Sequence, residues 1–497
     1  MSTITLRPGQ PDDDNREYLP ESIKDSDIVV NENGNNSQPY PERLEEHTDV
    51  VIDGESDTWY TYVPASYDPS TPTPLVISMH GGYMTGWGQA IYTSWTLLAE
   101  REGFIVLFPN AHLRRFWLID VPSDAIEAAT AFREDGIYLN PPPATPDENH
   151  DIRLVLALIE RLVGAYSIDR SRIYMQGMSM GNAMTGQFAR YFGQVLAGAA
   201  GSGGPTALGL LFDEAGERIN RGGPLPVLQT RLERDAVPPH YGAGVRDVVA
   251  RNRDYWIGVN GASAVPTISI IGENNLAFFE GGSAPVVFRD VKNRDHGQTL
   301  DDAEFAWSYL FSGVRRQDDG SIAPTNSRWP RRGDEVGIAV ADGRTHAWVD
   351  QHPVALGGRA FIWQKLKYHG LQGAAEVRGE YVYVPLSFIA STFDAKLETG
   401  PGTGTLSWPN GRRLEFARGT IVSIVDGDVR AMLAEAVERD GQLYISLEWL
   451  ARDILGLHAS QCEGVLYVTD HHAELSRNMA YLLADLLDAA DGGSSAA

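Results

Sequence analysis

Residues 172–184 read Arg172-Ile173-Tyr174-Met175-Gln176-Gly177-Met178-Ser179-Met180-Gly181-Asn182-Ala183-Met184. The first five have the texture of a strand, and Asn182 to Tyr191 have the spacing of a helix. Between them lies the pentapeptide Gly177-Met178-Ser179-Met180-Gly181. Glycine on both flanks permits a tight, strained turn from strand to helix that a Cβ would obstruct. Such a turn pushes the Ser179 hydroxyl out of the sheet edge. It also aims the helix N-terminus, with free N–H groups and a positive dipole end, at the same point. A G-x-S-x-G pentapeptide alone is common by chance. The strand before it and the helix after it give it meaning.

Outward from this elbow, strand-like runs (TWYTYVPASY, PLVISMHG, FIVLFPN, LPVLQTRL, PTISIIG, PVVFRDV) alternate with helical ones at 90–102, 148–166, 182–192, 242–259 and 300–312. Short apolar β runs such as LVISM and FIVLF, alternating with amphipathic helices, mark a mostly parallel sheet buried on both faces. The expected class is α/β: a doubly wound, α/β-hydrolase type of sheet, followed by a smaller α+β domain. Active sites in open sheets of this kind lie at the carboxyl ends of the strands.

A serine hydroxyl needs a general base, and the base needs an orienting acid. In this fold they follow in the order Ser, Asp/Glu, His. Between Ser179 and residue 313 the only histidines are His240 and His296. His296 follows PVVFRDV and precedes DDAEFAWSYLF, where the last loop would present a base. His240, beside Pro238-Pro239, reads as a loop or substrate-facing residue. Asp235 lies just past PVLQTRL and is preferred as the acid over Glu233. Asp295, adjacent to the histidine, is a weaker third. The oxyanion donors are expected to be the amides of Met180 and of Gly82, from His80-Gly81-Gly82-Tyr83, with Tyr83 as an alternative to Gly82. His80 reads as a structural histidine. Tyr83 and Trp117 follow strand ends and are candidate substrate-binding residues, whereas Trp95 reads as core. Asp301-Asp302 reads as a helix N-terminus.

The chain has 497 residues, of which 43% are hydrophobic and 22% charged, and a formal net charge of −25. That composition is globular and excludes a wholly disordered chain. The acidic balance disfavours nucleic acid and anionic membranes as partners. A single cysteine, Cys462, excludes an intramolecular disulfide and any all-cysteine metal site. No apolar run is long enough to span a membrane. The start, MSTITLRPGQPDDDN, lacks the apolar core of a secretory signal. As it stands the sequence reads as cytoplasmic, or as secreted or envelope-bound if a leader has been removed.

The expected organisation is a polar extension (1–47), a catalytic domain (48–314), a linker (315–335), an accessory domain (336–472), and a C-terminal helix with a tail (473–497). Within the accessory domain, YVYVPLSFIASTF (381–393) and QLYISLEWLARDI (442–454) align at an offset of 61 residues. Each runs strand, turn, helix and then a further strand, which implies an internal duplication. The C-terminal histidines (His346, His352, His369, His458, His471, His472) lack ligand spacing, so no metal site and no cofactor are expected.

With these motifs placed, residues 58–312 resemble the polyhydroxybutyrate depolymerase and feruloyl-esterase-like group of bacterial α/β-hydrolases. The matching pieces are TWYTYVPASYDPSTPTPLVISMHGG, LLAEREGFIVLFPNA, Trp117, HDIRLVLALIERLVGAYSIDRSRIYMQGMSMGNAM, PVLQTRLERDAVPP, RNRDYWIGVNGASAVP and DHG, in the family's order. The resemblance implies Ser179 as nucleophile, Asp235 as acid and His296 as base. Three places depart from the family pattern. Asn182 stands where a second glycine often follows the elbow, Arg231-Leu232 where His-Gly usually precedes the acid loop, and His80-Gly81-Gly82 in place of an HG-Cys loop. Residues 336–470 are similar to the N-terminal, stalk-like domain of copper amine oxidases, through VYVPLSFIASTFDAKLE and LYISLEWLARDILGLHA. That likeness implies an interaction or dimerisation module, and with it a homo-oligomer, but no copper.

The expected activity is hydrolysis of a small-molecule or polymeric carboxylic ester (hydroxycinnamoyl, acetyl or short polyester) through an acyl-enzyme. An amidase or peptidase with the same triad and a non-catalytic envelope-binding protein are the rivals. If the C-terminal module is only accessory, a chain ending near residue 320 is expected to stay active.

Overall fold

The computed structural model describes residues 41–131, 139–368 and 375–492. Ten strands are β1 (Leu44–Val50), β2 (Ser56–Tyr62), β3 (Thr73–Met79), β4 (Ile105–Pro109), β5 (Ile168–Met178), β6 (Gly198–Ser202), β7 (Val227–Leu232), β8 (Thr267–Ile271), β9 (Asn274–Phe279) and β10 (Val286–Val291). They form one sheet in the order β1-β2-β4-β3-β5-β6-β7-β10-β9-β8. The β1, β2 and β4 strands pair antiparallel, and β4, β3, β5, β6 and β7 run parallel. This strand order, with a strand–Ser–helix turn after β5, is the α/β-hydrolase fold.

Every residue of β3 is buried. A strand covered by helices on both faces has no polar side to show, hence the unbroken PLVISM run. Full burial stabilises each Leu, Val, Ile or Met there by roughly 1.5–3 kcal/mol. The β6 strand carries no apolar run, for a local reason: a Cβ at Gly201 would overlap the Asn182 carboxamide, and one at Gly198 would crowd the Phe311 ring.

The helices of this part are α1 (Gly86–Tyr92), α2 (Trp95–Glu102), α3 (Ile126–Thr130), α4 (His150–Ala165), α5 (Met180–Phe192) and α6 (Val245–Asn260), then a helical run that starts at Asp302 and reaches Gly313. The single helix expected over 90–102 is two helices. Thr93 is extended and returns its hydroxyl to the Gln89 carbonyl at 2.9 Å. Ser94 instead donates to the Leu300 carbonyl at 2.6 Å. The Asp301-Asp302 pair does more than meet a helix dipole, because both carboxylates bind the fully buried Arg289.

The chain divides into two compact units. The first is the chain up to Ala264 with Phe278–Arg289 and Asn293–Arg331. The second is Val265–Ala277, Asp290–Lys292 and the chain from Arg332 onward.

In the first unit, Val314–Arg316 pairs antiparallel with Ile322–Pro324 in the stretch read as a linker. Most of the residues read as an N-terminal extension, 1–40, lie outside the described residues, and Leu44 already begins the edge strand β1.

The second unit holds three further antiparallel sheets of five, four and five strands. The two segments that align at an offset of 61 residues are neighbours in one of them: Ala375–Pro385 pairs with Gln442–Ser446, and Val384 faces Ile445. The helix Arg477–Ala490 buries Met479, Leu482, Leu483 and Leu487 within this unit. Ser269 Oγ and the Ile270 amide donate to Asp334 at 2.7 and 3.0 Å. Ser476 N donates to Asn275 Oδ1 at 3.0 Å, and Asn275 Nδ2 donates to the Glu474 carbonyl at 2.9 Å. Residues 265–277 are thus bonded into the C-terminal part of the chain.

Candidate active site

The β5 strand delivers Ser179 to the elbow. Its backbone sits at φ 56° and ψ −118°, a strained conformation rare outside glycine. The turn closes because its neighbours have no side chains. A Cβ at Gly177 would overlap the Gly181 carbonyl, and a Cβ at Gly181 would overlap the Met79 carbonyl at the end of β3. The Ser179 amide donates to the Ser202 carbonyl at 2.9 Å, which anchors the elbow to β6.

Ser179 Oγ lies 2.8 Å from His296 Nε2, and His296 Nδ1 lies 2.9 Å from Asp235 Oδ1. The loops carrying the two partners are clamped together. Glu233, the competing acid, accepts from the Asn293 amide at 2.9 Å, and the Arg234 amide donates to the Arg294 carbonyl at 3.0 Å. Asp295 is exposed. Beneath the elbow, Gln176 accepts from Ser78 and Trp95, each at 2.9 Å, and donates to Gln298 at 3.1 Å. This buried network ties the strand before Ser179 to the loop of His296.

A cavity of about 280 Å³ opens at these three side chains. Its walls include Ile119, Leu139, Asn182, Pro205, His240 and Tyr241. Burial, and then the Asp235 carboxylate, push the Tyr241 phenol up, so it faces the cavity as a neutral donor. Asn182 Nδ2 and Arg231 Nη1 both donate to the Gly204 carbonyl, at 2.6 and 2.9 Å. Two of the departures from the family pattern therefore meet at one carbonyl in the cavity wall. The proximity of Tyr241 to His240 was the signal that could have found it from sequence.

The Gly82 Cα lies beside Met180, since a Cβ on it would come 3.1 Å from Met180 Sδ. No hydrogen bond to the Gly82 amide is seen among the described residues, whereas the Tyr83 amide donates to the Arg115 carbonyl at 3.2 Å. That leaves Gly82 and Met180 as the open amides. His80 is fully buried; its Nε2 accepts from the Ala111 amide at 2.9 Å and its Nδ1 meets the Gly81 carbonyl at 2.6 Å. Desolvation lowers its pKa to about 4.

Trp117 requires a correction. It is 0% exposed, packs against the His80 ring at a tilt of 34° and donates Nε1–H to the His80 carbonyl at 2.7 Å. An indole with no surface and an engaged N–H cannot touch substrate; it supports the glycine loop from below. Tyr83 is 44% exposed, packs edge-on against Phe116 and does not line the cavity.

Fold and geometry together define an α/β-hydrolase carrying a serine–histidine–aspartate constellation. No protein-family model matches the chain. The chain is similar to feruloyl esterase B of Thermothelomyces thermophilus, 27% identical over 164 residues, 32% of this chain and 48% of that protein. It is likewise similar to acetylxylan esterase A of Emericella nidulans, 27% identical over 180 residues, 36% of this chain and 51% of that protein. A third relative is the poly(3-hydroxybutyrate) depolymerase of Ralstonia pickettii, 27% identical over 169 residues, 31% of this chain and 30% of that protein. The matches thus span about half the length of these relatives or less, and all three are carboxylic ester hydrolases by name. Among the described residues, no helix is long and apolar enough to cross a membrane.

Proposed function

We propose that the protein is a serine hydrolase of carboxylic esters. The observation that carries this reading is the hydrogen-bonded chain Ser179–His296–Asp235 at the mouth of a cavity. Ser179 Oγ attacks the acyl carbon while His296 Nε2 accepts its proton. Asp235 holds the imidazole in the tautomer that leaves Nε2 free and stabilises the imidazolium that forms. The Gly82 and Met180 amides bind the developing oxyanion, and donors of this kind contribute roughly 3–4 kcal/mol each. The protonated His296 then gives its proton to the leaving alcohol. Water, activated by the same imidazole, releases the acid from Ser179.

The cavity sits at the small end of ligand sites, which run to about 300–1,000 Å³, so it suits one acyl group rather than a length of polymer. Its walls are mainly apolar, with Tyr241, His240 and Asn182 as polar points. Hydroxycinnamoyl, acetyl or short hydroxyacyl esters are the substrate classes that fit, and the names of the relatives favour the first two.

A panel of chromogenic esters of varied acyl length and aromaticity, with matching anilides, tests the reading beside Ser179→Ala. Ester turnover should fall by at least ~1,000-fold in the variant with the fold unchanged. A fluorophosphonate should label the wild type at Ser179. Silence towards every ester and the label favours the binding-protein reading, and faster anilide turnover favours the amidase.

A further inference from the structure

Away from the cavity at Ser179, Asp57, His112 and His150 converge from three segments: the β1–β2 hairpin, the loop after β4 and the first residue of α4. The ligand-capable atoms of the three lie within 4.8 Å of one another. Asp57 Oδ1 is 2.9 Å from His112 Nδ1 and 3.0 Å from His150 Nε2. The Asp57 side chain is 1% exposed, and among the described residues its Oδ2 is buried with no hydrogen-bond partner. The outer nitrogens are engaged as well. His112 Nε2 lies 2.5 Å from Glu55 Oε2, and His150 Nδ1 lies 3.3 Å from Asp53 Oδ2. Asp53 is itself held by both terminal nitrogens of Arg153, at 2.7 and 3.0 Å.

All four imidazole nitrogens therefore face carboxylates. Satisfying them with protons alone needs two imidazolium cations whose ring centroids are 3.9 Å apart. A single cation between the inner nitrogens and Asp57 satisfies the same groups with both rings neutral. Bidentate ligation by Asp57 would also give its orphaned Oδ2 a partner. We propose that Asp57, His112 and His150 bind a divalent first-row transition metal, with zinc the best fit to two imidazoles and a carboxylate.

Zn–N and Zn–O bonds of about 2.0–2.2 Å place tetrahedral ligand atoms roughly 3.3 Å apart, close to the spacing found here. Imidazole ligands argue against calcium and magnesium, which take oxygen. Glu55 and Asp53 occupy the outer positions that orient metal-bound histidines and raise their basicity. The two side chains are 14% and 12% exposed, so the pair lies close to solvent. None of these residues lines the cavity at Ser179, so the role is structural. The ion ties the hairpin to α4 and to the loop that runs on from His112 to Trp117. That loop is already pinned by Asp151, which accepts from the amides of His112 and Leu118 at 3.0 and 2.7 Å.

The test strips the full chain with EDTA, reloads it with zinc, dialyses it in metal-free buffer and measures bound metal by mass spectrometry. The wild type should keep about one zinc per chain and unfold several degrees higher than the stripped protein. His112→Asn/His150→Asn should lose that zinc, and His471→Asn/His472→Asn should keep it. Cobalt(II) added to the stripped wild type should give the intense visible bands of a four-coordinate site, water being the fourth ligand beside the three side chains. That reading needs no variant, should the double substitution fail to fold. Zinc well under half an equivalent in the wild type, no such cobalt bands, or equal zinc in the folded His112/His150 variant would each overturn the proposal and leave a hydrogen-bonded cluster only.

Discussion

The Trp117 indole donates to the carbonyl oxygen of His80 at 2.7 Å, directly before the two glycines that precede Tyr83. Trp117→Phe keeps an aromatic ring but a smaller one and removes the donor, leaving a buried carbonyl unpaired beside a small void. That costs about 1–3 kcal/mol of stability. Because the loop then loses its anchor, kcat on a short ester should fall about tenfold or more with KM nearly constant. Urea unfolding and steady-state kinetics on the same preparation check both effects.

Asn182 and Arg231 hold the Gly204 carbonyl from two sides. Asn182→Ala releases one of these bonds, worth about 1 kcal/mol, and loosens the wall of the cavity. The variant should lose selectivity between short and bulky acyl groups by about fivefold, read as a ratio of kcat/KM values. An unchanged ratio would mean that the wall is held by other contacts.

His80 is neutral in the folded chain down to about pH 4, against an ordinary value of 6.5, because burial disfavours its charged form. Its contribution to stability is complete above the unfolded value and is lost as pH falls towards the folded one. The whole difference is on the order of 3 kcal/mol, of which about 2 lie between pH 7 and 5. A comparison with His80→Gln isolates His80. The wild type should lose more stability than the variant between pH 7 and 5, measured by urea titration at each pH.

A chain ending at Arg331 removes Asp334, Glu474 and Ser476 from the segment 265–277 that they bond. Such a chain should unfold at least ~10 °C lower than the full protein, or fail to stay soluble, as several buried polar groups lose their partners together. Thermal unfolding of the shortened and full-length proteins decides it. A shortened protein that keeps the full unfolding temperature would show 332–497 to be separable.

What could be read from sequence was local. The elbow declares itself because two glycines flank a serine within five residues, β3, β4 and β8 because their runs are almost wholly apolar, and β2, β5, β7 and β10 through shorter apolar or aromatic pieces. The meeting of Ser179, Asp235 and His296 was legible through strand ends, since each residue follows one. The β6 strand was missed because its core side is built of Ala and Gly, to admit Asn182 and Phe311. The burial of Trp117 depends on a carbonyl 37 positions away, and the approach of Asp57 to His150 spans 93. Neither spacing has a local signature.

Asn275 finds its partners at Glu474 and Ser476, about 200 positions later. During synthesis that strand leaves the ribosome long before the residues that complete it exist. Closing so long a loop falls late in folding. The nascent chain must therefore carry Asn275 without these partners through most of translation, and a translational stop before Glu474 would leave Asn275 without either of these bonds.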